Sequence, residues 1–337
     1  MQNDTHHLLD SANQIILGKS HKIRLALCCL LARGHLLIED IPGVGKTTLA
    51  HTLAKLLGLN YQRIQFTSDI LPADIIGASI FDAKNLAFKF HPGPVFNQMV
   101  LADEINRATP KAQSALLEAM EEHNITVEGK TYPLPEPFFV IATQNPSHQI
   151  GTFPLPESQL DRFLMRIELG YPNHDAERLL LKGQNRHSLI ESLPVRLPPE
   201  QLLYMQHAVA RVHASNAVLD YCQAIISFTR ESSEYHCGLS PRAGLALLNA
   251  AKAWAFMDQR DAVIPDEYLT HLRLLFLLNA DLRLFWICHG DVCAVTFSSR
   301  ELMVPVYCIH RKGKGGAELT HRRHWSRTSA AHSNIRR

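Results

Sequence analysis

A short glycine-containing segment, EDIPGVGKTT at Glu39–Thr48, constrains the fold of this chain more than any other feature. Gly43 and Gly45 allow a tight turn in which backbone N–H groups point into one concavity, and a helix that begins near Lys46 adds its N-terminal donors. The spacing is that of the phosphate-binding loop G-x-x-x-x-G-K-[ST], with Asp40 in place of the first glycine. It predicts a strand, a phosphate-binding loop and a helix, in that order.

The residues of this loop have distinct chemical roles in nucleotide binding. The Lys46 ammonium can reach the β- and γ-phosphates, and the Thr47 hydroxyl can bind magnesium. Pro42 can stiffen the turn where the first glycine is missing. The predicted nucleotide-binding residues are Pro42, Gly43, Val44, Gly45, Lys46, Thr47 and Thr48. ATP with Mg²⁺ is therefore the predicted ligand.

Two adjacent carboxylates follow a run of apolar residues at Met99–Ala102, which indicates a buried strand. Asp103 is predicted to bind the nucleotide's magnesium through water, and Glu104 to polarise the attacking water. An acidic pair at a solvated strand end is the alternative explanation. Its position about 57 residues after Lys46, ahead of another apolar strand, favours a nucleotide-hydrolysing site.

That next apolar strand ends just before Asn145. An amide side chain there can hydrogen-bond the attacking water or the γ-phosphate. Asparagine before Pro146 is also typical of an ordinary turn. Both interpretations of Asn145 remain open at this point.

Short apolar runs alternate with helical patterns in the first half of the chain. Strands are predicted at His35–Glu39, Tyr61–Phe66, Met99–Ala102 and Phe138–Thr143. Helices are predicted at Lys46–Leu57 and from Thr109 and Pro110 onwards, which form an N-cap and N1 pair. Continuous apolar strands separated by helices favour a parallel sheet covered on both faces, the α/β class.

From about Pro172 the strand patterns stop and helical patterns follow one another. The helices are predicted at Asp175–Leu181, Pro199–Ala214, Leu219–Ser232 and Pro241–Met257. We therefore predict a nucleotide-binding core over residues 1–171, a helical domain over 172–270 and a basic tail over 271–337. The end of the tail is rich in Gly, Ser, His and Arg, a composition typical of disorder.

Charge and cysteine content exclude several classes of protein. From Arg311 to the end, eight basic residues oppose one acidic residue, about +7, whereas the remainder carries 26 basic and 31 acidic residues, about −5. An acidic body gives no support for nucleic-acid binding.

The seven cysteines lack the C-x₂-C spacing of a zinc site, which favours free thiols in a reducing cytoplasm. No signal peptide is recognised, and charges interrupt the most apolar stretch, Leu269–Phe297, so no membrane span is predicted.

Several long strings carry a resemblance to a known family. They are EDIPGVGKTTLA, HPGPVF, LADEINRATPKAQSALLEAMEE, FFVIATQNP and GTFPLPESQLDRF. In order and spacing they resemble the MoxR family of AAA+ ATPases, which is related to the magnesium-chelatase ATPase subunit. The resemblance extends from about Ser11 to Asp266, roughly three quarters of the chain. It implies a five-stranded parallel αβα core followed by a helical lid, with ATP between them.

The resemblance also implies roles for individual residues. Gly43, Gly45, Lys46 and Thr47 resemble the Walker A motif, Asp103 and Glu104 resemble Walker B, and Asn145 resembles sensor 1. Arg162, in QLDRF, resembles the arginine finger that completes a neighbouring subunit's site, and Arg242, in LSPRAG, resembles sensor 2 on the lid. The alternative for both arginines is a surface position or a structural ion pair.

Three further segments have weaker matches in the family. Phe81–Phe96 and His123–Pro137 resemble hairpin insertions that face a ring pore or a partner, although both fit ordinary hairpins. Ile16–Gly18 resembles the segment that packs against adenine. Beyond Asp266 the family pattern is lost, which is consistent with a divergent tail or a shifted reading frame.

The leading functional hypothesis is a cytoplasmic, ring-forming ATPase that remodels or activates a partner protein. The family resemblance implies a homo-oligomer, expected to be a hexamer, and a partner with a von Willebrand factor A domain. A nucleic-acid-dependent motor is the first alternative, supported locally only by the basic tail. A nucleotide-dependent binding module with little turnover is the second.

Overall fold

The computed structural model describes residues 2–145, 152–183, 186–231 and 238–264, and three strand segments at 284–289, 292–297 and 302–305. The chain divides into two compact units, Met1–Leu282 and Arg283–Arg337. The first unit contains the predicted motifs and is described first.

A five-stranded parallel sheet forms the centre of the first unit. Its strands are β1 (Leu36–Glu39), β2 (Tyr61–Gln65), β5 (Met99–Asp103), β8 (Phe139–Gln144) and β9 (Met165–Ile167). They lie in the order β2-β5-β8-β1-β9. The first four confirm the predicted strands to within one residue at each end. The α/β class and the five-stranded parallel core are also confirmed. β9 has only three residues, and its apolar pattern was too short to be recognised by itself.

Eleven helices are described in this unit. They are α1 (Gln2–Ile15), α2 (Ser20–Leu31), α3 (Lys46–Leu57), α4 (Pro72–Ile76), α5 (Pro110–Glu122), α6 (Glu157–Leu160), α7 (His174–Leu181), α8 (Arg186–Glu191), α9 (Pro199–Ala210), α10 (Asn216–Glu231) and α11 (Pro241–Met257). α3 begins and ends at left-handed glycines, Gly45 and Gly58, as its sequence predicts. After residue 171 the described elements of this unit are the helices α7 to α11, and the domain boundaries at residues 171 and 270 stay predictions.

Two β-hairpins extend from the core. They are β3–β4 (Gly77–Asp82 and Ala87–Pro92) and β6–β7 (Asn124–Val127 and Lys130–Pro133). The β6–β7 hairpin lies within the predicted segment His123–Pro137, whereas β3–β4 begins at Gly77, four residues before the predicted segment Phe81–Phe96. The Phe90 ring of the first hairpin stacks on the Tyr132 ring of the second, with centroids 4.3 Å apart. The two hairpins therefore contact each other.

Core and helical regions share one hydrophobic interior. Met205 of α9 and Ala253 of α11 are buried in the same cluster as Leu27 of α2. At its edge, the Arg24 guanidinium lies 4.0 Å from the Trp254 ring centroid and pairs with Asp258. These contacts hold α11 against α2, the helix that leads into the amino end of β1.

The second unit contains three described strands, β10 (Leu284–His289), β11 (Val292–Phe297) and β12 (Leu302–Pro305), which form an antiparallel sheet. The remainder of the predicted basic tail lies outside the described residues. None of the helices in the described parts of the chain combines the length and the apolar character that a membrane-spanning helix requires.

His35 is a buried histidine directly before the amino end of β1. Its Nδ1 accepts a hydrogen bond from the Val140 N–H at 3.0 Å, so Nε2, 3.1 Å from the Met120 carbonyl oxygen, carries the proton and donates. Burial lowers the pKa of His35 to about 4. The side chain is therefore a neutral bridge between α5 and β8.

Acid should destabilise the fold through His35. Because its pKa is lowered on folding, the unfolded chain binds the extra proton first, and stability is lost as pH falls from about 6.5 towards 4. Between pH 7 and 5 the loss should be about 2 kcal/mol. Urea unfolding at both pH values should show a smaller loss for His35→Gln, which does not titrate. Identical losses in the two proteins would contradict this prediction.

Candidate nucleotide site

The loop between β1 and α3 has the geometry of an open cradle. Gly43 and Gly45 have φ values of 85° and 98°, a region that favours glycine. A Cβ atom added at either glycine would have no heavy atom within 4 Å. No other segment therefore covers the two glycines, and the first turn of α3 follows them directly, with Thr47 and Thr48 part-buried. Backbone N–H groups in a loop of this kind can bind a phosphate group.

Asp40 anchors the start of this loop. Its carboxylate accepts the Ile41 N–H at 2.8 Å and the Gly170 N–H at 2.6 Å. Gly170 follows β9, so Asp40 ties the loop to the connection that leads into α7. The structure thus gives a reason for aspartate at the position where the motif usually has glycine, a role that the sequence interpretation did not find.

The same connection lies beside the segment that the family resemblance links to adenine. The Lys19 ammonium donates to the Tyr171 carbonyl at 2.5 Å. A Cβ added at Gly18 would lie 3.2 Å from Asn173 Oδ1, the atom that caps α7 by accepting the Ala176 N–H. The end of the Ile16–Gly18 segment therefore packs against the start of α7.

Lys46 is a buried cation at the centre of the site, only 7% exposed. Its ammonium donates to the Asp40 carbonyl at 2.5 Å and to Asn145 Oδ1 at 3.1 Å. Burial lowers the pKa of Lys46, and the nearby carboxylates of Asp40, Asp103 and Glu104 oppose that shift. A cation held by two neutral oxygens keeps charge available for an anionic ligand.

Asp103 lies at the carboxyl end of β5 and is bound on both sides. Its Oδ1 accepts the Thr143 hydroxyl at 2.6 Å, and its Oδ2 accepts Nη2 of Arg63 at 2.6 Å. Arg63 belongs to β2, the strand next to β5. Arg63 was not among the predicted site residues, because the pairing of β2 with β5 cannot be read from the sequence pattern.

Glu104 has a left-handed backbone, with φ 58°, and its N–H donates to Thr143 Oγ1 at 2.9 Å. Its carboxylate receives three donors: the Asn145 amide at 3.1 Å, the Gln65 amide at 3.2 Å and Arg107 Nε at 3.0 Å. Asn145 thereby bridges Lys46 and Glu104 through its two amide atoms. The predicted Walker A, Walker B and sensor 1 side chains thus meet at the carboxyl ends of β1, β5 and β8.

This set of groups fits a magnesium–nucleotide complex. Thr47 and Asp103 are the two oxygen donors predicted for magnesium, an ion that takes its remaining ligands from water and phosphate. Among the residues that the structure describes, no cluster of three or more His, Cys, Asp or Glu forms a metal site of its own. With a nucleotide bound, Thr47 would bind its magnesium directly and Asp103 through water.

The two predicted arginines lie elsewhere, around one carboxylate. Nη1 of Arg162 is 2.9 Å from Glu121 Oε2 and donates to the Leu117 carbonyl at 2.7 Å. Nη2 of Arg242 contacts Glu121 Oε1. The Ser240 hydroxyl, which caps α11, donates to the carboxylate of Asp161 at 2.8 Å.

These arginines border a cavity of about 250 Å³ at the amino ends of β1 and β9. It is lined by Arg33, Gly34 and His35, which lead into β1, and by Phe163 and Leu164, which lead into β9. The phosphate loop follows the opposite, carboxyl end of β1. The structure therefore places Arg242 beside Arg162, and not among Lys46, Glu104 and Asn145.

Comparisons with known protein families identify two regions of the chain. Residues 35–165 match the ATPase family associated with various cellular activities (AAA). Residues 227–274 match the AAA lid domain. The first match contains the phosphate loop, Asp103, Glu104, Asn145 and Arg162, and the second contains Arg242.

The chain is similar to several curated proteins along most of its length. It is 47% identical to the uncharacterized protein YeaC of Bacillus subtilis, over 79% of this chain and 84% of that protein. It is 38% identical to chaperone MoxR1 of Mycobacterium tuberculosis, over 78% and 73% of the two chains. It is 33% identical to protein MoxR of Paracoccus denitrificans, over 76% and 82%.

A solved structure of an ATPase candidate from Cytophaga hutchinsonii has the same fold. It superposes with a TM-score of 0.75 and 35% sequence identity, over 82% of this chain and 87% of that chain. The α/β core with its helical lid is therefore shared with a protein of related sequence.

Proposed function

Because the chain belongs to the MoxR-type AAA+ ATPases, we propose that it hydrolyses Mg-ATP and uses the cycle to remodel or mature a partner protein. One observation carries the hydrolytic part of this proposal. Asn145 connects the phosphate-binding cation Lys46 to the carboxylate Glu104, at 3.1 Å on each side. A carboxylate held beside the phosphate-binding cation can orient a water molecule and accept its proton.

Each residue of the site has a defined task in this proposal. Lys46 binds the β- and γ-phosphates, and Thr47 and Asp103 hold the metal side of the nucleotide. Bound magnesium would neutralise charge on the phosphate oxygens. Glu104 orients the attacking water and accepts its proton, while Asn145 contacts the γ-phosphate or that water.

Arg162 and Arg242 are proposed to act on a neighbouring subunit's nucleotide in a homo-oligomeric ring, expected to be a hexamer. Their position at the amino ends of the sheet supports this, because the subunit's own phosphate loop is at the carboxyl ends. A guanidinium binds phosphate oxygens through a planar fork and stays charged at all relevant pH values. Hydrolysis would then depend on assembly.

A protein partner is supported by a relative and by an exposed surface. MoxR1 is named a chaperone. On the β3–β4 hairpin, Phe81, Leu86 and Phe88 expose 51%, 78% and 69% of their surface. Apolar groups exposed together are typical of protein-binding sites. We propose a partner with a von Willebrand factor A domain, which the family resemblance suggests, and a cytoplasmic location.

ATP hydrolysis with magnesium, measured across protein concentrations, tests this proposal. We expect specific activity to rise with concentration, and Lys46→Ala to abolish nucleotide binding and to lower hydrolysis by at least about 100-fold. Lys55→Ala is the matched control, because Lys55 lies on the same helix and pairs with Glu191 away from the loop. Equal activities of the two variants would refute the assignment of the site. Salt-sensitive stimulation by DNA would favour a nucleic-acid motor instead.

A further inference from the structure

Glu121 joins the two arginines that the proposed function assigns to the neighbouring site. One carboxylate oxygen contacts Arg162 and the other contacts Arg242. We propose that Glu121 is a positioning residue, which holds both guanidinium groups ready for the phosphate of an adjoining subunit's nucleotide. This inference rests on the proposed trans arrangement and adds a residue that neither the motifs nor the comparisons assign.

The place of Glu121 in its helix argues for such a role. It lies in the last turn of α5, which ends at Glu122. A negative charge near the carboxyl end of a helix is disfavoured by the helix dipole. Two arginines from other segments offset that cost, one preceding β9 and the other in the first turn of α11. The carboxylate also screens two like charges that would otherwise repel each other.

Glu121 contacts only one nitrogen of each guanidinium. These are Nη1 of Arg162 and Nη2 of Arg242, and Arg162 Nη1 also donates a hydrogen bond to the Leu117 carbonyl. Arg162 Nε is buried without a hydrogen-bond partner, and the Arg242 side chain is 46% exposed. Apart from the buried Arg162 Nε, the N–H groups that Glu121 leaves free can therefore bind phosphate oxygens while Glu121 stays in place.

A second contact fixes the same two segments to each other. The Ser240 hydroxyl donates to both carboxylate oxygens of Asp161, at 2.8 and 2.9 Å. Asp161 precedes Arg162, and Ser240 is the N-cap of α11, two residues before Arg242. With Asp161 and Ser240 fixing the backbones and Glu121 fixing the side chains, the two arginines form one preorganised unit. The two arginines and Glu121 together carry a net charge of +1.

Glu121→Ala tests this inference by removing the carboxylate and keeping the arginines. ATP binding to the subunit's own loop should be unchanged, because Glu121 lies at the other end of the sheet. Hydrolysis should fall by about 10- to 100-fold, the range expected when catalytic groups lose their orientation. Glu121→Gln keeps the size and one oxygen acceptor, so its loss should be smaller. Glu122→Gln, an exposed neighbour, is the control and should be as active as the parent.

Mixing variants separates positioning from a structural role. Lys46→Ala subunits have a defective loop but intact arginines, whereas Glu121→Ala subunits have the reverse. A mixture of the two should regain activity wherever the intact loop of a Glu121→Ala subunit adjoins the intact arginines of a Lys46→Ala subunit. A mixture of Arg162→Ala and Lys46→Ala subunits should regain activity in the same way. Adding Glu121→Ala to an Arg162→Ala, Arg242→Ala double variant should cause no further loss.

The outcomes distinguish the role of Glu121 from the proposed action of the two arginines on a neighbouring subunit's nucleotide. If Arg162→Ala is rescued by mixing but Glu121→Ala retains full activity, or loses activity without rescue, the role of Glu121 is overturned and the trans arrangement stands. If Arg162→Ala is itself not rescued, the trans arrangement fails, and the inference about Glu121 fails with it.

Discussion

Arg162→Ala should bind ATP as tightly as the parent protein yet hydrolyse it about 1,000-fold more slowly. The parent's arginine would stabilise charge that develops on the γ-phosphate of a neighbouring subunit's nucleotide, and alanine cannot replace that charge. Titration with a fluorescent ATP analogue and steady-state phosphate release measure the two quantities separately. Arg211→Ala, an exposed arginine at the end of α9, is the matched control and should behave as the parent.

The concentration dependence of the same assay provides a second criterion. The parent's specific activity should rise as subunits assemble, whereas Arg162→Ala should remain low at every concentration. A variant that lost ATP affinity in proportion to its activity would show that Arg162 serves its own subunit's loop or its fold. The ion pair with Glu121 would then be a structural contact.

Most of the core was predictable because its local signals agree. The apolar run Leu36 to Glu39 indicates a strand, the glycines of the loop indicate a turn, and the apolar face of α3 indicates a helix. This order is typical of a nucleotide-binding α/β core, and the three signals support one another. Short elements were harder to predict from the sequence. β9 was implied only by the family resemblance, because three residues between Met165 and Ile167 give no readable period.

The meeting of Asp103 and Asn145 at the carboxyl ends of the strands was predictable for the same reason. Asp103 and Asn145 each follow a buried apolar strand, and parallel strands bring their carboxyl ends to one edge. Arg63 and Gln65 were not predictable. They reach Asp103 and Glu104 only because β2 lies beside β5, with Gln65 opposite Asp103 in register.

The arginine site depended even more on tertiary structure. Glu121 appears in the sequence as one of two adjacent acids at the end of a helix, which is typical of a solvated face. Its contacts with the two arginines depend on the fold. Arg162 reaches the Glu121 carboxylate from the residue segment before β9, and Arg242 reaches it because α11 packs on α2. The placement of Arg242 at that end of the sheet likewise required the structure.

Glu104→Gln should stop the cycle at the ATP-bound stage. Glutamine keeps the size of the side chain and one oxygen acceptor, for Asn145 at the Oε1 position or for Arg107 at the Oε2 position, but it cannot accept a proton from water. We expect turnover to fall by about 100- to 10,000-fold, the range for loss of a general base, with ATP affinity preserved. Single-turnover hydrolysis and nucleotide titration provide the measurements, and Glu118→Gln, exposed on α5, provides the control.

The same variant decides between an enzyme and a nucleotide-dependent binding module. If the parent hydrolyses ATP no faster than Glu104→Gln, the contacts around Glu104 do not support turnover, and the chain works by binding alone. If the parent is faster and the variant still binds ATP, the variant should accumulate as an ATP-bound assembly, because the step that releases the arginines from the neighbouring phosphate is blocked. Size-exclusion chromatography with ATP should then show a larger and longer-lived oligomer for Glu104→Gln than for the parent, and a smaller one for Lys46→Ala.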